Sequence, residues 1–358
     1  MGFLDLTGYS LWINLAIFSL SAVVVWIAGA RIARYADKVA LATGISHATV
    51  GLVLLAGITS LPEVAVSLAS AMAGSPVLAV NNLLGSIAMQ IAILAVADAI
   101  FGKQALTVVA GSSLVLLQVT MNILLLVLFC GAVAMGDIAL FYAGAWSWAL
   151  LAMYALSIWK ISNSHDRHAW VAKKTDLQHS RLGKPAAPHA SDGGGGGEPQ
   201  DQALKPLAMK LALGAAAILF AGFLLSRTGD AIAAQTDLGQ NFVGAVLVAA
   251  STSLPELSSV LSAVKLRRFE MAISDIFGTN LFNVGLVFVV DAAYDGGPVI
   301  NEVGKFSLVA GLIGSLLGSI YLIGLIERQN RTVARMGIDS VAVLLVYLGG
   351  LVVLYQLR

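Results

Sequence analysis

The chain has 358 residues, of which 58% are apolar and 11% are charged, and its formal net charge at pH 7 is +1. Soluble globular domains contain roughly one quarter charged residues, so this composition indicates an integral membrane protein. The small net charge gives no bulk electrostatic signal for a nucleic acid or an acidic partner, and the single cysteine, Cys130, excludes an internal disulfide. The first residues lack the basic stretch of a secretory signal, so we expect the first apolar segment to be retained as a helix.

Ten apolar segments are long enough to cross a bilayer, at about 20 residues per crossing. They lie near 11–30, 47–73, 77–101, 106–130, 138–159, 207–226, 240–264, 270–292, 304–325 and 338–357. The stretch 161–206 between the fifth and sixth segments is polar and contains a run of glycines, so it is predicted to be a flexible linker. The predicted fold is therefore all-α, with one five-helix half at 1–160 and another at 207–358.

The two halves share an internal repeat. Thr-Ser-Leu-Pro-Glu at 59–63 returns at 252–256, and at this offset of 193 residues the alignment runs without a gap from 50–99 to 243–292. Because each half holds an odd number of spans, the second half must start on the opposite side of the membrane. The halves are therefore predicted to be inverted repeats, an architecture typical of secondary transporters.

The basic residues predict how the chain is oriented. Of the 21 Lys and Arg residues, 18 fall in the connections that follow odd-numbered spans. Lys and Arg favour the cytoplasmic side of a membrane. Both termini are therefore predicted to lie outside the cytoplasmic (inner) membrane, with the linker in the cytoplasm.

Two acids recur inside these apolar runs. Glu63 precedes the turn at 74–76 by as many residues as Ser86 follows it, which places both roughly 17 Å from the turn at about 1.5 Å per residue. This depth is close to half of a hydrocarbon core of roughly 30 Å. Glu256 and Thr279 stand in the same relation to their own turn. Both glutamates are therefore predicted to face a hydroxyl near the midplane.

Each repeat also contains a proline that interrupts helical hydrogen bonding. Pro62 has no N–H to pair with the carbonyl of Ile58, and Pro255 does the same to Ser251. Unwound carbonyls at membrane depth line protein-buried cavities and coordinate cations.

Hydroxyl and amide side chains surround the two acids in the sequence, at Thr59, Ser60, Ser86, Gln90, Thr252, Ser253, Thr279 and Asn283. Such an oxygen-rich set favours a hard cation, Ca²⁺, Na⁺ or Mg²⁺, over Zn²⁺ or Cu⁺. Prolines and hydroxyls also occur in purely structural helices, but a structural kink needs no charge.

Four further polar residues match across the repeats. Asn82 and Asp275 lie about one helical turn before the repeat hydroxyls, and roles as a ligand, a gate or a helix-packing residue are equally open for them. Asp98 and Asp291 fall near helix ends, where we expect a solvated carboxylate.

In these motifs the chain resembles the Ca²⁺:cation antiporter superfamily, which contains the Na⁺/Ca²⁺ exchangers and their prokaryotic relatives. Members of that superfamily have two inverted five-helix halves, each with Gly/Ala-Thr-Ser-Leu/Val-Pro-Glu followed by Gly-Ser-Asn-Ile-Phe-Asn/Asp. The second repeat follows both motifs well at 251–256 and 278–283, whereas the first keeps 59–63 and 85–86 and then departs from the pattern up to Gln90. The resemblance covers both halves but not the linker.

This resemblance implies a secondary active antiporter that works by alternating access, in which Glu63 and Glu256 are the central metal ligands. The hydroxyls and amides named above would surround the ion. Many Ca²⁺-transporting relatives have an acid where this chain has Asn283, so two formal negative charges are left, enough for one divalent ion or two monovalent ions or protons. Ca²⁺/H⁺, Na⁺/Ca²⁺, monovalent cation/proton and Mg²⁺ exchange therefore stay open.

A cation channel is a weaker alternative, because no pore loop is visible between the paired acids. An enzyme is weaker still, since neither a nucleophile–base pair nor an HExxH motif occurs. The partners expected are inorganic cations, with Ca²⁺, Na⁺ or H⁺ transported, and the lipid bilayer. No cofactor and no nucleic acid are expected, and the oligomeric state is open.

Overall fold

A computed structural model describes residues 6, 8–43, 56–101, 105–109, 113–163, 200–265, 267–328, 332–333 and 336–358. Within these ranges the chain is helical except for two short hairpins and the connecting turns. The first half contains α1 (Leu11–Thr43), α2 (Ala56–Thr59), α3 (Leu61–Met72), α4 (Pro76–Phe101), α5 (Leu106–Val109), α6 (Ser113–Met135), β1 (Ala139–Leu140), β2 (Ala143–Gly144) and α7 (Ala145–Ser162).

The second half follows this order of elements, and its described part also includes a short α-helix and a π-helix after the first long helix. It contains α8 (Gln200–Gln235), α9 (Gly239–Phe242), a π-helix (Val243–Val248), α10 (Ala249–Thr252), α11 (Leu254–Lys265), α12 (Phe269–Ala293), α13 (Val299–Glu302), α14 (Lys305–Glu327), β3 (Thr332–Val333), β4 (Met336–Gly337) and α15 (Ile338–Gln356).

The offset of 193 residues also relates the element boundaries. The pairs α2/α10 and α3/α11 begin and end at equivalent positions, and the antiparallel hairpins β1–β2 and β3–β4 have equivalent registers. The equivalence therefore continues past residue 99, where the ungapped sequence match ends, as far as the last helix of each half.

Seven of the described helices are long and apolar enough to cross a membrane, and the bent pair formed by 239–252 and Leu254–Lys265 makes an eighth if it counts as one span. Of the two other predicted spans, one begins in 44–55, which lies outside the described residues, and the other corresponds to α7, a shorter helix that contains Lys160. The total of ten spans and their inversion stay predictions.

Two helices extend further than apolar length predicted. α1 continues to Thr43, past the predicted end of its span at residue 30, and α8 begins at Gln200, inside the predicted linker. A helix does not have to end where its apolar run ends, because its backbone hydrogen bonds continue into polar residues. The rest of the predicted linker, 164–199, lies outside the described residues.

α4 and α12 form the centre of the protein and pack against each other. Within their apolar stretches 78% and 83% of the residues are buried, compared with 28% in α1, α8 and α15. The short helices α3 and α11 each pack against both central helices. At the periphery α1 packs against α8, and each contacts the broken helix of the other half: α1 contacts α11, and α8 contacts α3.

Candidate cation-binding site

Each Thr-Ser-Leu-Pro-Glu segment lies at a break between two helices. α2 and α3 are separated at Ser60, and α10 and α11 at Ser253, where the second break bends the pair by 42°. The proline falls at the second residue of the new helix, in the first turn, where N–H groups have no intrahelical partner. Ile58 and Ser251, whose carbonyls the prolines were predicted to free, lie in the last turns before these breaks.

The predicted side-chain ligands are all withdrawn from the surface. Those with no exposed area are Glu63, Glu256, Thr59, Ser60, Ser86, Gln90, Thr252, Thr279 and Asn283. Ser253 and Ser251 are also buried. The side chain of Ile58 lies outside the described set, so only its backbone position is stated.

The two glutamates lie close enough for their negative charges to repel each other, and each faces residues of the opposite half. The carboxylate of Glu63 lies beside the hydroxyls of Ser86 and Thr252, and that of Glu256 lies beside the hydroxyl of Thr59. Because the hydroxyls of Thr252 and Thr59 come from the other repeat, neither half by itself forms the site.

Thr252 connects the halves directly. Its Oγ1 lies 3.2 Å from Ser86 Oγ and donates a hydrogen bond of 3.3 Å to Asn82 Oδ1. Asn82 therefore contacts a hydroxyl of the other repeat rather than packing against a helix alone.

Many oxygens in this region have no hydrogen-bond partner among the residues that the structure describes. These include both carboxylate oxygens of Glu63 and Glu256, the amide oxygens of Gln90 and Asn283, and the hydroxyls of Thr279 and Ser253. A buried carboxylate without hydrogen bonds is costly unless a cation or a proton accompanies it.

No protein cation provides this compensation in the part of the chain that the structure describes. None of its buried side chains is Lys, Arg or His. Two buried acids without a buried protein cation among the described residues are the arrangement that a binding site for cations requires.

Two aspartates near the ends of the central helices differ from the sequence prediction, which expected them to be solvated. Asp98 has no exposed area and accepts hydrogen bonds from the backbone N–H groups of Leu106, at 2.6 Å, and Gly337, at 2.7 Å. The prediction that these carboxylates are solvated was wrong, because they accept hydrogen bonds from backbone N–H groups at the starts of other helices.

Asp291 repeats the arrangement with the halves exchanged. It accepts hydrogen bonds from Val299, at 2.8 Å, and from Gly144, at 2.7 Å. Gly144 and Gly337 precede the last helix of their respective halves, so each aspartate ties its central helix to the opposite half. The recurrence of the aspartates at the repeat offset was the one sequence signal for this role.

Ser259 is a further polar residue that the sequence did not single out. It lies one helical turn after Glu256 in α11 and donates a hydrogen bond to Asp275 Oδ2. The first repeat has Val66 at the equivalent position, so Ser259 is not among the polar residues that match across the repeats.

Fold and site together define a polytopic helical membrane protein with an acidic, oxygen-rich interior of the kind that suits hard cations. A family model described as "Sodium/calcium exchanger protein" matches residues 13–161 and 207–356. The chain belongs to this family, and the resemblance predicted from the motifs is confirmed. Its members are membrane transporters that exchange cations.

One curated relative is the putative antiporter CaxA of Alkalimonas amylolytica. It is 30% identical over 130 residues, which cover 34% of this chain and 39% of CaxA. The match thus spans well under half of that relative's length.

Solved structures of the sodium-calcium exchanger NCX_Mj share the fold. NCX_Mj soaked with Na⁺ and Sr²⁺ matches with a TM-score of 0.62 and 16% identity, covering 95% of this chain and 97% of that one. NCX_Mj soaked with zero Na⁺ and Ca²⁺ matches with a TM-score of 0.61 and 16% identity, covering 98% and 100%. At this level of identity the likeness concerns the architecture alone.

Proposed function

We propose that this protein exchanges Ca²⁺ against Na⁺ or H⁺ by alternating access, with Glu63 and Glu256 as the central cation ligands. One observation carries the proposal. Two fully buried carboxylates, one from each repeat, face hydroxyls of the opposite half, and no buried protein cation in the described residues balances them. Two negative charges match one Ca²⁺, or two Na⁺ or H⁺, which then compete for one site.

The free-energy penalty of an empty site explains why the protein would exchange cations and would not let them pass in one direction without a counter-ion. Moving two bare carboxylates between membrane faces without a counter-ion is penalised by their burial, so the site crosses loaded. We propose that Thr59, Ser60, Ser86, Gln90, Thr252, Ser253, Thr279 and Asn283, together with the carbonyls of Ile58 and Ser251, complete the coordination. The peripheral helices α1 and α8 are the elements that we propose to move.

The decisive experiment uses proteoliposomes loaded with radiolabelled Ca²⁺ and exposed in turn to gradients of Na⁺, K⁺ and H⁺. Efflux should require one of these counter-ions and should saturate. Glu63→Gln and Glu256→Gln should each abolish exchange while the protein still elutes as a folded species. Glu270→Gln is the matched control, because Glu270 is an exposed acid of the same repeat.

Other results of this experiment would reassign the function. Efflux without a counter-ion, with ohmic single-channel current, would identify a channel. Exchange of Mg²⁺ or of monovalent ions alone would keep the site and change the cargo. Unimpaired Ca²⁺ exchange in either glutamine variant would remove that glutamate from the site.

We also propose that both termini lie outside and that the linker lies in the cytoplasm, on the basis of the 18 basic residues on one side. Replacing the buried Cys130 by Ala leaves a background without cysteine, into which Gly8→Cys or Asn163→Cys can be introduced at exposed positions. A membrane-impermeant maleimide should label position 8 from outside intact cells and position 163 only after permeabilisation. The reverse pattern would invert the proposed topology.

A further inference from the structure

A third carboxylate lies next to the proposed central pair. Asp275 in α12 has no exposed area and lies within electrostatic range of Glu256. It is four residues before Thr279, about 6 Å along the helix axis at 1.5 Å per residue. Asp275 is therefore close to the central pair but displaced from it toward the start of α12.

The two oxygens of the Asp275 carboxylate differ in their hydrogen bonding. Oδ2 accepts a hydrogen bond from Ser259 Oγ, which itself lies 3.0 Å from the backbone carbonyl oxygen of Glu256. Among the described residues Oδ1 has no hydrogen-bond partner, and neither has the hydroxyl of Thr279 on the next turn. A fully buried carboxylate oxygen without a partner is a position where a cation would be stabilised.

The first repeat contains no equivalent of this pair. At an offset of 193 residues, Ser259 corresponds to Val66 and Asp275 to Asn82, and both of these side chains are buried. Asn82 accepts its hydrogen bond from Thr252 of the other repeat, whereas Asp275 accepts from a serine of its own repeat. These two differences therefore distinguish the second repeat, and they give it one more buried acid than the first repeat has.

Charge balance indicates what this third acid binds. One divalent ion, or two monovalent ions, neutralises Glu63 and Glu256 and leaves Asp275 with one negative charge. None of the buried side chains that the structure describes is Lys, Arg or His, so none of them neutralises Asp275. A position with one carboxylate and hydroxyl oxygens suits a monovalent metal ion, because a divalent ion there would leave a surplus positive charge in the interior.

We propose that Asp275, oriented by Ser259, forms a second cation position for a monovalent metal ion beside the Glu63–Glu256 pair. This inference rests on the proposed function and extends it, because the loaded site then holds up to three positive charges. In the proposed topology the start of α12 faces the cytoplasm, so the second position lies between the central pair and the cytoplasmic exit.

The test measures how many Na⁺ ions bind to each chain. Purified protein is titrated with radiolabelled Na⁺ at equilibrium, and Ca²⁺ efflux from proteoliposomes is measured as a function of external Na⁺. Asp275→Asn, which copies the first repeat, should bind one Na⁺ fewer per chain and should lower the Hill coefficient for Na⁺ by about one, while Ca²⁺ still binds. Asn82→Asp is the reciprocal variant and Glu270→Gln the control with an exposed acid.

Ser259→Val, which copies Val66, provides a second line of evidence that does not remove a charge. It should weaken Na⁺ affinity about tenfold without changing the number of central ligands, because the Asp275 carboxylate loses the hydrogen bond that orients it. If Asp275→Asn fails to elute as a folded species, an unchanged Na⁺ affinity in Ser259→Val overturns the proposal.

The outcomes separate this inference from the proposed function. Equal Na⁺ stoichiometry in the wild type and in a folded Asp275→Asn variant overturns the second position and leaves the exchanger intact. Wild-type protein that exchanges Ca²⁺ for H⁺ and binds no Na⁺ has the same consequence. Wild-type protein that carries out no cation exchange at all refutes the proposed function itself.

Discussion

Gly29 of α1 lies directly against Pro255 of α11: a Cβ atom on Gly29 would come within 2.4 Å of the proline Cβ and 2.7 Å of its Cα. The equivalent contact in the other half is made by Gly222 of α8, whose added Cβ would come within 2.6 Å of Ala65 Cβ and 3.1 Å of the Pro62 carbonyl oxygen. Each long peripheral helix thus packs through a glycine onto the broken helix of the opposite half. The proposed moving helices therefore contact the site at the two prolines.

Gly29→Ala and Gly222→Ala should both lower stability and slow exchange. The added methyl group meets atoms of Pro255 at Gly29, and the Ala65 Cβ and the Pro62 backbone at Gly222, none of which can rotate away. Overpacking of this kind costs about 1–3 kcal/mol. Thermal unfolding in detergent and Ca²⁺ efflux from proteoliposomes measure the two effects. Gly131→Ala in α6 is the control, because a Cβ there meets nothing within 4 Å. Unfolding of Gly29→Ala at the wild-type temperature would contradict the close packing.

Thr252→Val should weaken cation binding while preserving shape. The variant removes the hydroxyl that lies between Ser86 and Asn82 and beside the Glu63 carboxylate. We expect Ca²⁺ affinity to fall about tenfold, which corresponds to roughly 1.4 kcal/mol. Isothermal titration calorimetry on the purified protein measures this change.

Thr120→Val provides the matched control for that substitution. Thr120 is exposed, and its hydroxyl donates a hydrogen bond to the carbonyl of Leu116 in its own helix. Its Ca²⁺ affinity should equal that of the wild type. A tenfold loss in both variants would show that the effect is a general response of the helices to losing a hydroxyl.

Asp98→Asn and Asp291→Asn should destabilise the protein by similar amounts. An asparagine presents one oxygen and one N–H group, so one of the two backbone N–H donors at each site would lose its acceptor and face another donor. Leaving a buried donor unpaired costs about 1–3 kcal/mol. Thermal unfolding should show two comparable decreases, whereas Asp237→Asn at an exposed position should be neutral. A large effect at one aspartate alone would show that the equivalent bonds differ in importance.

Removal of the bound cation should destabilise the wild-type protein and leave the glutamate variants unaffected. Ligand at a hundred times its dissociation constant stabilises the folded state by about 2.7 kcal/mol, so Ca²⁺ should raise the unfolding temperature and a chelator should reverse the rise. Glu63→Gln and Glu256→Gln should show no Ca²⁺-dependent shift. An undiminished shift in both variants would place the stabilising ion elsewhere.

The sequence predicted that the two buried acids lie near each other, because the relevant information was local and repeated. Glu63 and Glu256 each stand inside an apolar run beside a proline, and an unpaired acid in such a run is costly enough to be informative by itself. Counting residues from the following turn placed Ser86 opposite Glu63, and the structure places this hydroxyl beside the Glu63 carboxylate. The sequence did not predict that Thr252 lies beside Glu63 and Thr59 beside Glu256, because these contacts depend on how the two halves pack.

The extent of the helices was predicted less well. Apolar length indicates where a chain can cross the hydrocarbon region but not where backbone hydrogen bonding stops, so α1 and α8 continue beyond their predicted ends. The position near a helix end likewise suggested that Asp98 was solvated. In the folded chain its acceptor oxygens are used by an N–H group more than 200 residues away, at Gly337.

The sequence by itself determined that this is a membrane protein with a duplicated acidic motif, and its motifs identified the family. These features are properties of composition, spacing and repetition, and they can be read without knowing which segments touch. Only the tertiary structure decided that Ser259 donates a hydrogen bond to Asp275, that Asp98 and Asp291 tie each central helix to the opposite half, and that Gly29 and Gly222 contact the two prolines. Each of these contacts joins segments whose approach depends on how the helices pack, which no local pattern of side chains encodes.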